Sequence, residues 1–289
     1  MSIIMDGKLL SQKIHKSVKE RSIILKEKGI IPCLAVILVG EDPASLSYVK
    51  SKEKALENAG MQSRDIRLSF DTDENALLSI ITDLNNDKKI HGILVQLPLP
   101  KHINEEKVIQ AVSPEKDVDC FHPVSVGNMI LGKPGFLPCT PSGILMLLRE
   151  YNIPVSGAHA VVIGRSNIVG KPMANLLLRK EFNATVTLCH TGTKNMEGHT
   201  RQADILIAAA GIPAFVKGDM VREGAVIIDV GINRVSDPYT KKGYRICGDI
   251  APDAAEKASF FTPVPGGVGP MTIAMLLKNV ADAAGMSIS

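Results

Sequence analysis

Short apolar runs alternate along this chain with stretches whose apolar residues recur every three or four positions, the pattern of strands exchanged with helices in βαβ order. In the first half, residues 34–40, 66–70 and 92–97 read as strands. Between them, residues 44–58 and 74–86 carry helical spacing, and Asp73 or Thr72 supplies a cap for the second helix. A segment rich in Pro and Gly runs from Leu97-Pro98-Leu99-Pro100 to Pro138-Cys139-Thr140-Pro141 and sets a domain boundary near the middle. Thr140 as N-cap and Pro141 at the first helical position then open a helix through Tyr151. Four further β-type runs follow, at residues 160–163, 184–188, 204–208 and 225–230. The pattern predicts an α/β protein of two α/β domains, residues 1–139 and 140–270, the second a Rossmann-like doubly wound parallel sheet. The largely apolar final helix, starting at Met271, is expected to pack back on the first domain, which then also takes residues 271–289.

Composition narrows the class. A chain of 289 residues, 45% apolar and 22% charged, buries enough surface to hold two cores without disulfides or a structural metal. Thirty-three Lys+Arg against 30 Asp+Glu leave a net charge of +3 with no long basic run, so nucleic acid is not an expected partner. The first residues meet an acid at Asp6 and lack a secretory pattern, and no window is apolar enough for a membrane span. The five cysteines are odd in number and widely separated, as reduced thiols of a cytoplasmic protein would be.

The sharpest motif is Val162-Ile163-Gly164-Arg165-Ser166-Asn167-Ile168-Val169-Gly170, leaving a strand and entering a helix, which outlines a phosphate site. Ser166 stands where a second glycine would complete G-x-G-x-x-G, so a ligand-free βα turn is the plain alternative. The next strand ends in Cys189-His190-Thr191 without the acid that an NAD ribose requires, and Arg165 lies in the turn. NADP is therefore favoured over NAD.

In the first domain, Tyr48 and Lys52 are four residues apart on one helix face, where a solvated face is the ordinary outcome, and Lys50 and Lys54 serve as controls. Gln96 ends an apolar strand at the carboxyl edge, where open α/β sheets place ligands; a loop cap is the alternative. Asp117-Val118-Asp119-Cys120-Phe121-His122 resembles a metal cluster but lacks a second ligand group, and no metal is expected. Asp119 is better suited to accept paired hydrogen bonds from an amidine-like heterocycle, or else to form a turn. The glycine-rich run from Thr262 to Thr272 offers bare amides before a helix.

Taken in order, these strings resemble the bifunctional methylenetetrahydrofolate dehydrogenase/methenyltetrahydrofolate cyclohydrolase family across nearly the whole chain. The resemblance also rests on Asp42-Pro43-Ala44-Ser45, Asp229-Val230-Gly231-Ile232-Asn233, Gly248-Asp249 and Pro263-Val264-Pro265-Gly266-Gly267-Val268-Gly269-Pro270-Met271-Thr272. It implies a cytoplasmic homodimer that oxidises 5,10-methylenetetrahydrofolate with NADP and hydrolyses the methenyl product to 10-formyltetrahydrofolate. Folate in the first domain would face NADP across an interdomain cleft. By motif, Lys52 is implied as the catalytic lysine with Tyr48 and Gln96 as partners, and Asp119 as the pterin anchor. Pro265, Gly269 and Thr272 would lie along the folate, and Gly164, Arg165, Ser166, Thr191 and Ile232 along NADP. Two departures stand out: Cys120 occupies a position where the family usually has Gly, and Thr191 one where Ser is common. A shikimate-dehydrogenase-like oxidoreductase and a non-catalytic NADP-binding sensor share the two-domain outline and remain the competing readings.

Overall fold

The computed structural model describes residues 2–240 and 243–286. In chain order the elements are β1 (Ile3–Ile4), α1 (Gly7–Glu27), β2 (Cys33–Val39), α2 (Pro43–Asn58), β3 (Gln62–Leu68), α3 (Glu74–Asn86), β4 (Gly92–Val95), α4 (Glu105–Ala111) and α5 (Pro123–Ile130). They continue with α6 (Cys139–Glu150), β5 (His159–Ile163), α7 (Gly170–Leu178), β6 (Thr185–Cys189), α8 (Met196–Thr200), β7 (Ile205–Ala208), β8 (Val226–Asp229), β9 (Asn233–Ser236), β10 (Tyr244–Cys247), α9 (Pro252–Glu256), β11 (Phe260–Phe261) and α10 (Val268–Met286). The chain divides into two compact units.

One unit comprises Gln12–Cys139 and Ile273–Ser289, of which 287–289 lie outside the described residues. Its sheet is parallel, in the order β3-β2-β4. Central β2 is buried at all seven positions, which is why it reads as an unbroken apolar run, whereas edge strand β3 is mostly exposed. Leu77, Ile81 and Leu84 of α3 recur at helical spacing and pack against β2. Asp73 caps that helix by accepting the Asn75 N–H at 2.9 Å.

The other unit comprises residues 1–11 and Thr140–Thr272. Residues 1–11 thus separate from the rest of the segment that the sequence groups as 1–139. Its six-stranded sheet is parallel throughout, in the order β1-β11-β8-β7-β5-β6. The chain goes from β5 to β6 on one side and then returns to β7 on the other, so the sheet reverses direction at the carboxyl end of β5. The two outermost additions, β11 and β1, are two residues long and extend the four strands legible in the sequence. Thr140 is not an N-cap: α6 starts at Cys139, placing Thr140 and Pro141 inside its first turn, and the Thr140 hydroxyl pairs with that of Thr272 at 2.9 Å. Pro141 is tolerated there because first-turn N–H groups have no intrahelical acceptor.

Candidate functional site

α2 starts with the Asp42 carboxylate accepting the Ser45 N–H at 2.8 Å, which fixes the helical phase of the residues that follow. That phase turns Lys52 inward to 4% exposure, while Lys50 and Lys54 are exposed. The Lys52 ammonium donates to Gln96 Oε1 at 3.3 Å and lies 4.5 Å from the centroid of the Tyr48 ring. Gln96 follows the last residue of β4; its N–H donates to the Ile37 carbonyl, and its side-chain amide donates to the Leu97 carbonyl at 2.8 Å. The second bond leaves Oε1 turned toward the lysine. Burial pushes the Lys52 pKa below its ordinary value, against the attraction of Asp119. Burial and the same carboxylate push the Tyr48 phenol upward, so it stays protonated. Cys139 is also raised well above the usual thiol range by burial. It therefore carries no charge at neutral pH, and Asp119 is the anion that Lys52 feels.

Asp119 sits on a loop that is pinned on both flanks. Its predecessor Asp117 accepts the backbone N–H groups of Phe121 at 3.1 Å and His122 at 2.8 Å, and burial raises its pKa against these bonds. His122 Nδ1 in turn accepts the Val124 N–H at 3.0 Å and caps α5. Thus Asp117 and His122 organise backbone. No group of three or more His, Cys, Asp or Glu among the described residues is arranged to hold a metal ion. Gly92 is obligatory here because a Cβ would press to 2.8 Å from the Val118 side chain. Cys120 adopts φ +61°, the left-handed region in which glycine is at ease, and its side chain is fully buried. The conformation explains a glycine at this position; cysteine holds the same turn at a backbone cost of about 1 kcal/mol. Burial and the two flanking aspartates push its thiol up to about 12, which makes it chemically inert.

In the other unit, Gly164 leaves β5 with φ +112°, and a Cβ there would overlap the Ala209 carbonyl after β7. The turn therefore runs against the neighbouring strand at the point where the sheet reverses. Ser166 Oγ accepts the N–H groups of Val169 at 3.2 Å and Gly170 at 3.3 Å, tying the turn to the start of α7. Arg165 and Thr191 are exposed, as is Ile232 at 61%. Near Ile232 lies a backbone-holding carboxylate pair, Asp229 and Asp249, which stand among the motif strings of the sequence without an assigned role. Asp229 accepts N–H groups from Gly231 at 3.0 Å, Asp249 at 2.9 Å and Ile250 at 3.0 Å. Asp249 accepts from Ala210 at 2.6 Å, Gly211 at 2.8 Å and the Asn233 amide at 2.8 Å. Burial, opposed by these donors, sets the Asp229 carboxyl at about 6.

The structure thus gathers Lys52, Tyr48, Gln96 and Asp119 in one unit. Gly164, Arg165 and Ser166 lie on one turn of the other unit, with Thr191 just after β6. Pro265, Gly269 and Thr272 belong to that second unit too, Pro265 in the loop before α10 and the other two in the first turns of that helix, where a Cβ on Gly269 would lie 3.7 Å from Ile232. Cys139 and Asn279 are neighbours of the Asp119 loop that carried no assigned role in the sequence; a lone Asn within the apolar α10 was the available signal.

The chain matches the family described as tetrahydrofolate dehydrogenase/cyclohydrolase, catalytic domain, over residues 5–119, and its NAD(P)-binding domain over residues 138–288. A bifunctional protein FolD from Exiguobacterium sibiricum is 55% identical over 98% of this chain and 100% of its own length. The crystal structure of the bifunctional FolD methylenetetrahydrofolate dehydrogenase/cyclohydrolase from Campylobacter jejuni is similar with a TM-score of 0.94 at 50% identity, covering 99% of both chains. The Trypanosoma brucei enzyme, complexed with NADP cofactor and inhibitor, is similar with a TM-score of 0.95 at 37% identity, covering 99% of this chain and 98% of that one.

Proposed function

The chain belongs to the tetrahydrofolate dehydrogenase/cyclohydrolase family, and from that membership we propose how its residues divide the two reactions. The enzyme oxidises 5,10-methylenetetrahydrofolate with NADP to the 5,10-methenyl compound and hydrolyses that compound to 10-formyltetrahydrofolate. Family membership replaces the shikimate-like and sensor readings.

The β5–α7 turn suits a dinucleotide: its glycine keeps the backbone low where the strand order reverses, and no carboxylate follows β6 to repel a 2′-phosphate. Gly164, Arg165, Ser166, Thr191 and Ile232 would hold NADP, which when bound accepts a hydride from the one-carbon bridge. Arg165 supplies the guanidinium for the 2′-phosphate, and Thr191 supplies a hydroxyl in the role often played by Ser. Asp119 accepts the paired N–H groups of the pterin, while Pro265, Gly269 and Thr272 lie along the rest of the folate.

Hydrolysis requires a proton to leave the water adduct and one to reach the departing nitrogen. Lys52 is the proton carrier in this reading. Desolvation disfavours its charged form, Gln96 Oε1 fixes the position of Nζ, and the Tyr48 ring face holds the cation when it forms. The observation that carries the assignment is the contrast between buried Lys52 and exposed Lys50 and Lys54 on the same helix. The cytoplasmic homodimer implied by the resemblance, serving one-carbon metabolism, is part of the same proposal.

The test follows NADPH, methenyl intermediate and 10-formyl product separately after mixing enzyme, NADP and 5,10-methylenetetrahydrofolate. Wild type forms all three, in that order. Lys52→Met is expected to lose enzymatic hydrolysis by a factor on the order of 10²–10⁴, the range of general acid–base catalysis. A folded K52M that hydrolyses the methenyl compound at the wild-type rate removes Lys52 from this role.

A further inference from the structure

We propose that Asn279, on the C-terminal helix α10, is a positioning residue for the folate-binding carboxylate Asp119, a role that rests on the anchor function assigned to Asp119 above. Asn279 is 5% exposed, and its side-chain amide nitrogen donates to the carbonyls of Val118 at 2.8 Å and Leu137 at 3.0 Å. Both amide hydrogens are therefore spent on backbone. The Val118 carbonyl belongs to the peptide plane that carries the Asp119 N–H, so holding it fixes the start of the Asp119 side chain. The Leu137 carbonyl lies two residues before Cys139, whose sulfur is 3.7 Å from the same nitrogen and whose thiol is held protonated by burial and the neighbouring Asp119 charge.

One amide thus ties together the two segments that flank the carboxylate, across 161 and 142 positions of sequence. The loop's further supports act at other points: the Ile93 N–H donates to the Lys116 carbonyl at 2.8 Å, the Val118 side chain packs over Gly92, Asp117 holds Phe121 and His122, and the Cys120 N–H returns to the Asp117 carbonyl at 3.1 Å. These fix the loop's internal turn. The Val118 carbonyl is otherwise met only by the weak donor Cys139 Sγ, at 3.5 Å, among the bonds described. The peptide plane before Asp119 is held at its carbonyl chiefly by this one amide, so removing the amide releases that plane while the turn around it persists.

The experiment is a double-mutant cycle on the full-length enzyme, with folate and NADP kinetics read separately. Asn279→Ala is expected to raise KM for 5,10-methylenetetrahydrofolate about tenfold, the scale seen when a partner supporting a liganding group is lost, with KM for NADP unchanged. In an Asp119→Ala background the same substitution is expected to change folate KM less than twofold, since the group it positions is gone. A folded N279A with wild-type folate KM overturns the proposal, as does a loss in kcat alone or a loss that is fully additive with D119A. If D119A by itself leaves folate KM unchanged, the anchor reading fails first and the positioning role falls with it. Should N279A not fold, the nearly isosteric N279D, which lacks both donors when ionised, carries the same comparison.

Discussion

The Lys52 cluster and the β5–α7 turn solve opposite problems. Around Lys52 the chemistry is in side chains: a buried ammonium with an amide and an aromatic face for company, a phenol kept protonated, and a carboxylate close enough to be felt. At the turn the chemistry is in the backbone: a glycine in a conformation other residues resist, amides held by Ser166, and exposed Arg165, Thr191 and Ile232 that cost the fold little. In the proposed reading the first arrangement trades stability for reactivity, holding a desolvated charge for what it does. The second makes a site out of the same hydrogen-bonding groups that complete the sheet and helix, so its fragility is steric.

The sharpest way to break this comparison is Lys52→Met. If the buried ammonium is a liability, K52M is about 1 kcal/mol more stable than wild type while its hydrolysis is lost, as urea unfolding beside activity would report. The folded pKa of Lys52 lies below the ordinary 10.5. The unfolded chain therefore binds the extra proton between those two values, and the cost of this group is full below the folded pKa and fades as pH rises through that window. K52M's advantage should shrink accordingly in alkali. A K52M that is less stable than wild type at pH 7 would mean that the Tyr48 and Gln96 contacts more than offset the burial.

Gly164→Ala probes the other side. With φ +112° and the Ala209 carbonyl in the way, it should cost roughly 3 kcal/mol and raise KM for NADP at least about tenfold, while hydrolysis of supplied methenyltetrahydrofolate by the folded fraction stays at the wild-type rate. A parallel fall in hydrolysis would show that the two regions are not separable.

The mildest test sharpens the contrast from the carboxylate near Ile232. Burial pushes the Asp229 carboxyl up to about 6 in the fold from its ordinary 3.8, so between about pH 4 and 6 the native state holds the extra proton. Stability from this group is therefore greatest in acid and declines as pH rises through that window. Asp229→Asn removes the decline, and the stability gap between wild type and D229N should narrow from pH 4.5 to 7. A gap that widens would mean that the three backbone donors outweigh burial.

Much of this architecture is visible in residue pattern because fully buried parallel strands announce themselves. β2, β5, β7 and β8 were legible as apolar runs, and α3 matches its predicted span of 74–86 because Asp73 and a clean apolar stripe mark it. What escaped notice has weaker physical signals. α1 buries a line through Val18, Ser22 and Leu25 but leaves Leu9, Ile23 and Ile24 exposed, so its apolar residues trace no single clean face, and β3 begins in Gln62-Ser63-Arg64-Asp65 because an edge strand need not be apolar. β1 and β11 are too short to show a period. At the site, spacing could place Tyr48 beside Lys52 and Gln96 at a strand end. It could not show that Asp117 and Asp229 hold backbone amides, or that Asn279 reaches Val118, since those depend on which distant segments meet.

The fate of the thiols has a practical consequence. Cys33, Cys120, Cys139 and Cys189 are buried, and only Cys247 is partly open to solvent. Cys247 lies at the end of β10, directly opposite Asn233, the residue that follows Ile232. A maleimide dye added to the native enzyme would therefore mark one position without mutagenesis, on the hairpin beside Ile232, which is proposed to line NADP. Its emission would give an optical titration of nucleotide occupancy that leaves the folate-side groups chemically untouched.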